Sequence, residues 1–208
     1  VPIGIMTAIY LVEYGQKGRL AHSIRFFVDV MTGIPSIVAG LFAYTIFSLV
    51  MGPGTNNGLA GACALSVLMI PTIVRSTEEM LRLVPNELRE ASYALGVPKY
   101  RTIWRVVLPT SLAGIVTGVV LGIARIIGET APLMVAAGFT QSINMNFFSG
   151  PMMTLPTFVY DQYAYRGLPP EAFVDRAWTG ALTLILIVMA LNLIGRLVAK
   201  RFAPKSGR

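Results

Sequence analysis

The sequence predicts an all-α membrane protein, a polytopic bundle of apolar helices that cross a bilayer. Of its 208 residues, 54% are apolar and only 13% are charged, whereas about 25% of the residues of a soluble domain are charged. The 45 residues between Asp29 and Arg75 carry no charge. A helix of about 20 apolar residues spans the hydrocarbon core. This run alone therefore has room for two spans.

Turn residues divide the apolar runs into four complete spans. The segment 52–58, GPGTNNG, is a dense turn signal that splits the long uncharged run. The predicted spans are 26–51, 58–80, 110–137 and 177–199. Pro35 and Pro71 fall inside the first two spans, where proline is tolerated and often marks a kink.

The remaining apolar segments are a short N-terminal stretch and a broken loop. Residues 1–11 are apolar but too short to span, so we interpret them as the end of a helix that begins earlier. They bring the expected number of membrane helices to about five, the first of them partial. Residues 138–160 contain too many Gly, Asn and Pro for a helix and predict an ordered loop or a partly re-entrant segment.

The net charge of +7 is explained by a membrane orientation rather than by nucleic-acid binding. Basic residues flank the apolar runs, as expected for cytoplasmic loops. Loop 52–58 has no Lys or Arg, and loop 138–176 has only two. The segment 13–25, the loop 77–109 and the C-terminus are expected on the cytoplasmic side because of their basic residues, Lys17, Arg19, Arg25, Arg82, Arg89, Lys99, Arg101, Arg105, Arg196, Lys200, Arg201, Lys205 and Arg208. His22 and Cys63 stand without further His or Cys, so neither a metal site nor a disulfide is predicted.

The segment between the second and third spans, which we call the coupling loop (82–109), predicts two helices joined by a sharp turn. Pro85 suits a first helical turn, and Gly96 followed by Pro98 suits a stop. A second helix is expected over 100–108, with Pro109 leading back to the membrane. One face of the first helix is expected to carry Leu88, Ala91, Ser92 and Leu95. Such a helix either docks against a partner protein and transmits its movement to the spans, or is an ordinary amphipathic helix that lies on the lipid headgroups.

The coupling loop resembles the EAA loop of ABC importer permeases. The matching positions are Glu90-Ala91-Ser92, Gly96, Val106 and Leu108-Pro109, with Ser92 in place of Ala and Val106 in place of Ile. The resemblance implies that Glu90, Ala91, Ser92, Gly96, Leu108 and Pro109 couple the chain to an ATPase. The chain has no phosphate-binding loop of its own. We therefore expect a transport component rather than an enzyme, with no bound cofactor, and ATP and Mg on a separate nucleotide-binding subunit.

Charged residues inside the apolar runs are the candidates for the cargo path. Each costs at least about 2.5–3.5 kcal/mol at the membrane centre, so each indicates a functional site. Arg125 and Glu129 have the i, i+4 spacing of a pair, and Arg75 is within reach of Glu78 or Glu79. These residues are either structural ion pairs or an anion path in which arginines bind an oxyanion and glutamates neutralise them in its absence. Arg75 has a third option, which is to extend toward the cytoplasmic surface.

The whole chain resembles the A-type permeases of the phosphate-specific (Pst) ABC transporters. The matching segments are AIYLVEY, GIPSIVAGL, IPTIVRSTEEML, IGETAPL and TLPTFVYDQY. The resemblance implies a type I ABC importer permease fold, a single transmembrane domain over 1–208 and a bacterial cell membrane. Since this family has six spans, it also implies an N-terminal part that precedes the sequence.

The implied function is phosphate import by alternating access, with three kinds of partner. These are a homologous second permease, a dimer of ATPase subunits and an extracytoplasmic phosphate-binding protein, all working within membrane lipid. Two alternatives remain open at this stage. One is a permease for another oxyanion, molybdate or sulfate, and the other is an ion channel or membrane scaffold without an ATPase partner.

Overall fold

A computed structural model describes residues 1–15 and 18–202, and all regular elements in these ranges are helices. We number nine helices there. They are α1 Pro2–Tyr14, α2 Arg19–Gly33, α3 Ser36–Met51, α4 Gly58–Arg82, α5 Asn86–Ala94, α6 Lys99–Ile127, α7 Ala131–Ala136, α8 Leu155–Ala164 and α9 Pro170–Phe202. The predicted all-α fold is confirmed. Lys17, Lys205 and Arg208 of the predicted cytoplasmic charge lie outside the described residues.

Three helices, α4, α6 and α9, are long and apolar enough to cross a membrane. Helices α2 and α3 pass the same test only as a pair, which would make a fourth span, and α1 is a shorter apolar helix. The predicted spans 58–80 and 177–199 lie within α4 and α9. Helix α4 runs through Pro71 without interruption.

The span predicted over 26–51, with a kink at Pro35, consists of two helices that are long and apolar enough for a span only together. Helix α2 ends at Gly33, α3 begins at Ser36, and the two axes differ by 107°. The physical reason is Pro35. It lacks the N–H that a continuous helix needs, and its ring pushes the preceding residue away from helical angles.

The predicted third span, 110–137, also ends too late. Helix α6 stops at Ile127, and Gly128, Glu129 and Thr130 separate it from the six-residue α7. Pro132 lies in the first turn of α7, where the missing N–H costs nothing. Inside a continued α6, the same ring would clash with the carbonyl four residues earlier. The loop predicted over 138–160 is confirmed for residues 138–154, which form no regular element, but residues 155–160 belong to α8, where Pro156 lies in the first turn and does not prevent a helix.

The chain divides into two compact units. The first contains Val1–Thr32, Ile70–Ile123 and the chain from Leu191 onward. Its core joins α1, α2, α4 and α6 through buried aliphatic side chains, among them Leu11, Val74, Leu81 and Val107. Glycines let α6 approach α4 closely, because a Cβ atom on Gly118 would lie only 2.6 Å from the Cβ atom of Ser76. Small residues at helix contacts are typical of membrane proteins.

The second unit contains Gly33–Met69 and Ala124–Ala190. Its small core consists of Ala43, Ala60, Ala64 and Ala136, with Phe47 against it. The loop 137–154 is ordered by hydrogen bonds to the rest of this unit. Asn57, which is fully buried, accepts a hydrogen bond from the Ala60 amide at 2.7 Å and donates one to the Phe148 carbonyl at 3.3 Å. Its side chain therefore caps α4 and holds the loop at once.

Candidate functional site

The coupling loop has the predicted helix–glycine–helix form. Helix α5 follows Pro85 and ends at Ala94. Gly96 has φ +72°, in the left-handed region that glycine adopts without strain. The Gly96 amide donates to the Tyr93 carbonyl at 2.9 Å, and the Val97 amide donates to the Ser92 carbonyl at 3.2 Å. These two bonds satisfy the last carbonyls of α5, as in glycine-terminated helices generally.

The expected face of α5 borders a concave surface. A hollow of about 600 Å³ is lined by Leu88, Ala91, Ser92 and Leu95, together with the turn at Gly96. Ser92 is buried, and its hydroxyl lies 2.9 Å from that of Thr102 in α6. Ser92 therefore joins the two arms of the coupling loop within this chain.

Glu90 and Ala91 remain on the exposed side of α5. In the part of the chain that the structure describes, Glu90 makes no ion pair. Leu95, at the end of α5, is 83% exposed. The surface that α5 leaves uncovered thus combines one carboxylate with small and apolar side chains.

The second arm of the coupling loop does not end at Leu108, and Pro109 does not interrupt it. Helix α6 runs from Lys99 through both residues to Ile127. A π-helical segment, Ile103–Val107, precedes Pro109. Proline clashes with the carbonyl four residues back in a regular helix. The wider π-helical turn relieves this clash, so the coupling loop and the membrane helix form one continuous element.

The charged residues at the C-terminal end of the apolar run of α4 form a cluster within the first unit. Arg75 pairs with Asp29 of α2, and both side chains are about half exposed, at 49% and 55%. Glu78 lies between two arginines, 3.0 Å from Arg25 and 2.6 Å from Arg82. A hollow of about 260 Å³ lies among these residues. The pairing expected for Arg75 with Glu78 or Glu79 does not occur in the described residues.

The sequence reasoning missed Asp29 and Arg25 as members of this cluster. Their partners are 46 and 53 residues away in the chain. Helical spacing reveals pairs three or four residues apart, and only the packing of α2 against α4 joins these. The one available signal was the position of Asp29 at the edge of the long uncharged run.

Arg125 and Glu129 do not form the expected i, i+4 pair. Arg125 lies in the last turn of α6 and is exposed, whereas Glu129 lies beyond the helix end. The described residues offer neither of them an ion-pair partner within 4.0 Å. The shared helix face required by the prediction is lost because α6 stops at Ile127. Arg125 thus presents an unneutralised guanidinium at the second unit's surface.

A second charge pair, which the sequence reasoning also missed, connects the coupling loop to the N-terminal helix. Arg89 of α5 pairs with Glu13 of α1 at 2.9 Å, and their side chains are only 12% and 5% exposed. Lys99, at the start of α6, donates to the Glu13 backbone carbonyl and lies 4.8 Å from the centre of the Tyr14 ring. Both arms of the coupling loop therefore contact the end of α1.

Tyr93 of α5 borders this pair. Burial raises the pKa of its hydroxyl, and the negative charge of Glu13 raises that pKa further, while Arg89 lowers it. The phenol is thus kept neutral beside the ion pair. The hollow between them, of about 420 Å³, also contains Arg82 and Asn86.

Long apolar helices joined by a polar segment of two helical arms are typical of multi-pass membrane proteins. The chain belongs to the family of binding-protein-dependent transport system inner membrane components, which matches residues 1–208. The two helical arms of the coupling loop and the apolar helices α4, α6 and α9 are the features of the structure that agree with this membership.

Proteins similar to this chain include phosphate permeases. The chain is 50% identical over 198 residues to "Phosphate transport system permease protein PstA 1" of Mycobacterium tuberculosis (strain CDC 1551 / Oshkosh), an alignment that covers 95% of this chain and 64% of the relative. It is 44% identical to the PstA protein of Yersinia pestis, covering 98% and 66%. The chain thus spans just under two thirds of the length of these relatives.

Solved ABC transporter structures share the fold. An inward-facing MetNI methionine ABC transporter aligns with a TM-score of 0.74 and 21% identity, covering 97% of this chain and 85% of that one. An amino acid ABC transporter solved with histidines aligns with a TM-score of 0.63 and 16% identity, covering 96% and 86%. The predicted fold of a type I ABC importer permease is therefore confirmed.

Proposed function

We propose that this chain is a permease subunit of an ATP-driven importer of inorganic phosphate in a bacterial cell membrane. It forms the translocation path with a homologous second permease and works by alternating access. An extracytoplasmic phosphate-binding protein delivers the cargo, and a dimer of ATPase subunits binds ATP and Mg. The chain itself binds no cofactor. The coupling loop and the C-terminus lie on the cytoplasmic side, as their basic residues indicate.

The exposed side of α5 supports the ATPase contact. Glu90, Ala91 and Leu95 are uncovered on a short helix that continues, after one turn, into the membrane helix α6. The second arm of the coupling loop is the first part of the continuous helix α6. A partner that moves α5 therefore also moves the membrane-spanning part of α6. Leu108 and Pro109 lie where that element enters the apolar run, so they transmit the motion rather than contact the ATPase.

The half-exposed pair of Arg75 and Asp29 carries the proposal of an anion cargo. An ion pair facing lipid is unfavourable, so these side chains require a protein surface or a water-filled path beside them. The Asp29 carboxylate occupies the guanidinium of Arg75 as a phosphate oxygen would. Arg125 offers a second guanidinium without a carboxylate partner. Glu78, held between Arg25 and Arg82, orients the cluster, whereas Glu129 lies beyond the end of α6 and makes no ion pair with Arg125.

Uptake of labelled phosphate into proteoliposomes tests this proposal with the whole transporter. The chain is co-purified with the second permease and the ATPase, and the binding protein is added outside. We expect ATP-dependent uptake in the parent and a reduction of about 10- to 100-fold in Arg125→Ala, the loss expected for one charge-assisted contact. Arg125→Lys separates the guanidinium geometry from the charge. Arg176→Ala, an exposed arginine outside the apolar runs, is the matched control.

The competing readings give different results in the same assay. A purified chain that never associates with an ATPase would refute the importer and favour a channel or scaffold. Uptake that sulfate or molybdate blocks better than phosphate would refute phosphate as the cargo. Normal uptake by Arg125→Ala would refute the role of that residue in the anion path.

A further inference from the structure

The ion pair between Glu13 and Arg89 stands out from the other described ion pairs because it is buried on both sides. We infer that Arg89 is a positioning residue that links movement of α5 to the membrane helices α1 and α4 through Glu13. The inference rests on the proposed ATP-driven transport. It concerns the connection inside this chain rather than the surface that faces the ATPase.

All five N–H donors of Arg89 are used. Two of them reach the same oxygen of Glu13, at 2.9 and 3.1 Å. The others donate to the carbonyls of Leu81 at 3.0 Å and Val84 at 2.6 Å, and to the Asn86 side chain at 3.3 Å. A guanidinium with every donor bonded in a fixed fork holds one orientation. Arg89 thus connects α5 to the Glu13 carboxylate of α1, to the Leu81 carbonyl in the last turn of α4 and to the Val84 carbonyl just beyond it.

Helix α5 has few other attachments that could carry a force. Of its residues, all of which the structure describes, Ser92 alone is buried. Leu88 is 41% exposed, so apolar packing contributes little. The fixed points are therefore the Ser92–Thr102 contact, which leads to α6, and the Arg89 contacts, which lead to α1 and α4. Without Arg89, displacement of α5 would reach α4 only through the connecting residues 83–85, and α1 only indirectly, through α6 and Lys99.

The end of α1 is shaped to meet this arginine. Residues Tyr10–Tyr14 form a π-helical segment, a wider turn that is frequent at functional sites. The segment contains Glu13, whose carboxylate is buried toward α5 although it carries a charge. Lys99 donates to the backbone of the same residue. Glu13 therefore connects α1 to both arms of the coupling loop.

The test compares transport with ATP hydrolysis in the reconstituted transporter. Arg89→Lys keeps the charge but loses the fork, and Glu13→Gln keeps an acceptor oxygen but loses the charge. We expect both variants to assemble and hydrolyse ATP, while phosphate imported per ATP falls by about 3- to 30-fold, the range of effects on coupling between sites. Arg19→Lys, an exposed arginine at the start of α2, is the matched control and should leave this ratio unchanged.

The ratio separates a linkage from a purely structural role. If both variants lost hydrolysis and uptake in equal proportion, or kept the parental ratio, the inference would be overturned. Glu13→Gln is nearly isosteric, so it supports or overturns the inference even if Arg89→Lys fails to assemble. Failure of the parent complex to bind an ATPase or to import phosphate would instead count against the proposed function.

Discussion

The contact between α3 and α7 gives a sharp prediction about packing. Gly40 of α3 lies against the backbone of Pro132 in α7. A Cβ atom at position 40 would lie 2.6 Å from the Pro132 Cα atom and 2.9 Å from its carbonyl oxygen. Ordinary van der Waals contact begins near 3.4 Å. In Gly40→Ala the two helices must therefore separate by about 0.8 Å, because backbone atoms cannot rotate away as a side chain could.

The cost follows from the effect of inserting one methyl group into a packed site, about 1–3 kcal/mol. Replacing glycine by alanine in a helix also stabilises the helix by up to about 1 kcal/mol. The control must therefore be a glycine-to-alanine change in a helix as well. Gly33→Ala is suitable, since a Cβ atom there meets nothing within 4 Å. A difference of 1–3 kcal/mol lowers Tm by about 2–12 °C in a domain of this size.

The assay is thermal unfolding of the purified transporter in detergent, followed by loss of its size-exclusion peak after heating. Gly40→Ala should unfold at a lower temperature than Gly33→Ala by the amount above. Equal midpoints for the two variants would show that α3 and α7 do not approach as closely as the structure has them. The result also bears on the family resemblance, since Gly40 and Pro132 belong to two of the matching segments, GIPSIVAGL and IGETAPL.

Two further predictions concern single side chains. Asn57→Ala removes the cap of α4 and the bond to the Phe148 carbonyl, and should cost about 1–2 kcal/mol. Its Tm should fall in the same assay, while Asn146→Ala in the exposed loop serves as comparison, and an equal midpoint would contradict the capping role. Tyr93 has a raised pKa, so the folded state holds this proton more tightly than the unfolded state. Stability should therefore fall as pH rises above the ordinary tyrosine value of about 10, and Tyr93→Phe should flatten that fall. An unchanged pH profile of unfolding in Tyr93→Phe would refute this.

The sequence was sufficient for features that depend on local pattern. The apolar runs of α4 and α9 predict spans because each run is long enough by itself. Gly96 predicts the end of α5 because only glycine adopts φ near +72° without strain. The same local reasoning joined α2 and α3 across Pro35 without showing that two separate helices form, and it placed the end of α6 beyond Ile127. At both places the helix ends although the hydropathy stays high, because Pro35 and Pro132 lack the N–H that a continuing helix needs. Hydropathy does not detect a missing N–H.

The long-range ion pairs could not be predicted from the sequence, for a different reason. Arg75 finds Asp29, and Arg89 finds Glu13, across 46 and 76 residues of chain. The spacing along one helix suggests an ion pair between Arg75 and Glu78. It does not show whether that pair is more stable than a pair with a residue of another helix, such as Asp29. Glu78 was already held by Arg25 and Arg82, which left Arg75 to a neighbouring helix. One sequence without relatives aligned to it holds no signal for such pairs.

The two long-range ion pairs, Arg89–Glu13 and Arg75–Asp29, differ in burial and in how many guanidinium N–H groups are bonded, and these differences suit them to different roles. Arg89 and Glu13 are nearly inaccessible, and every N–H of the guanidinium has a partner, so breaking the pair would leave a buried charge without compensation. That pair suits a fixed connection. Arg75 and Asp29 are half exposed and joined through one guanidinium nitrogen, so water or an oxyanion can replace the carboxylate at little cost. An arginine–carboxylate pair thus supports a fixed connection in Arg89–Glu13, near the end of α4, and an exchangeable anion contact in Arg75–Asp29, within α4. The phosphate-uptake experiment tests the anion path, and the comparison of uptake with ATP hydrolysis tests the fixed connection.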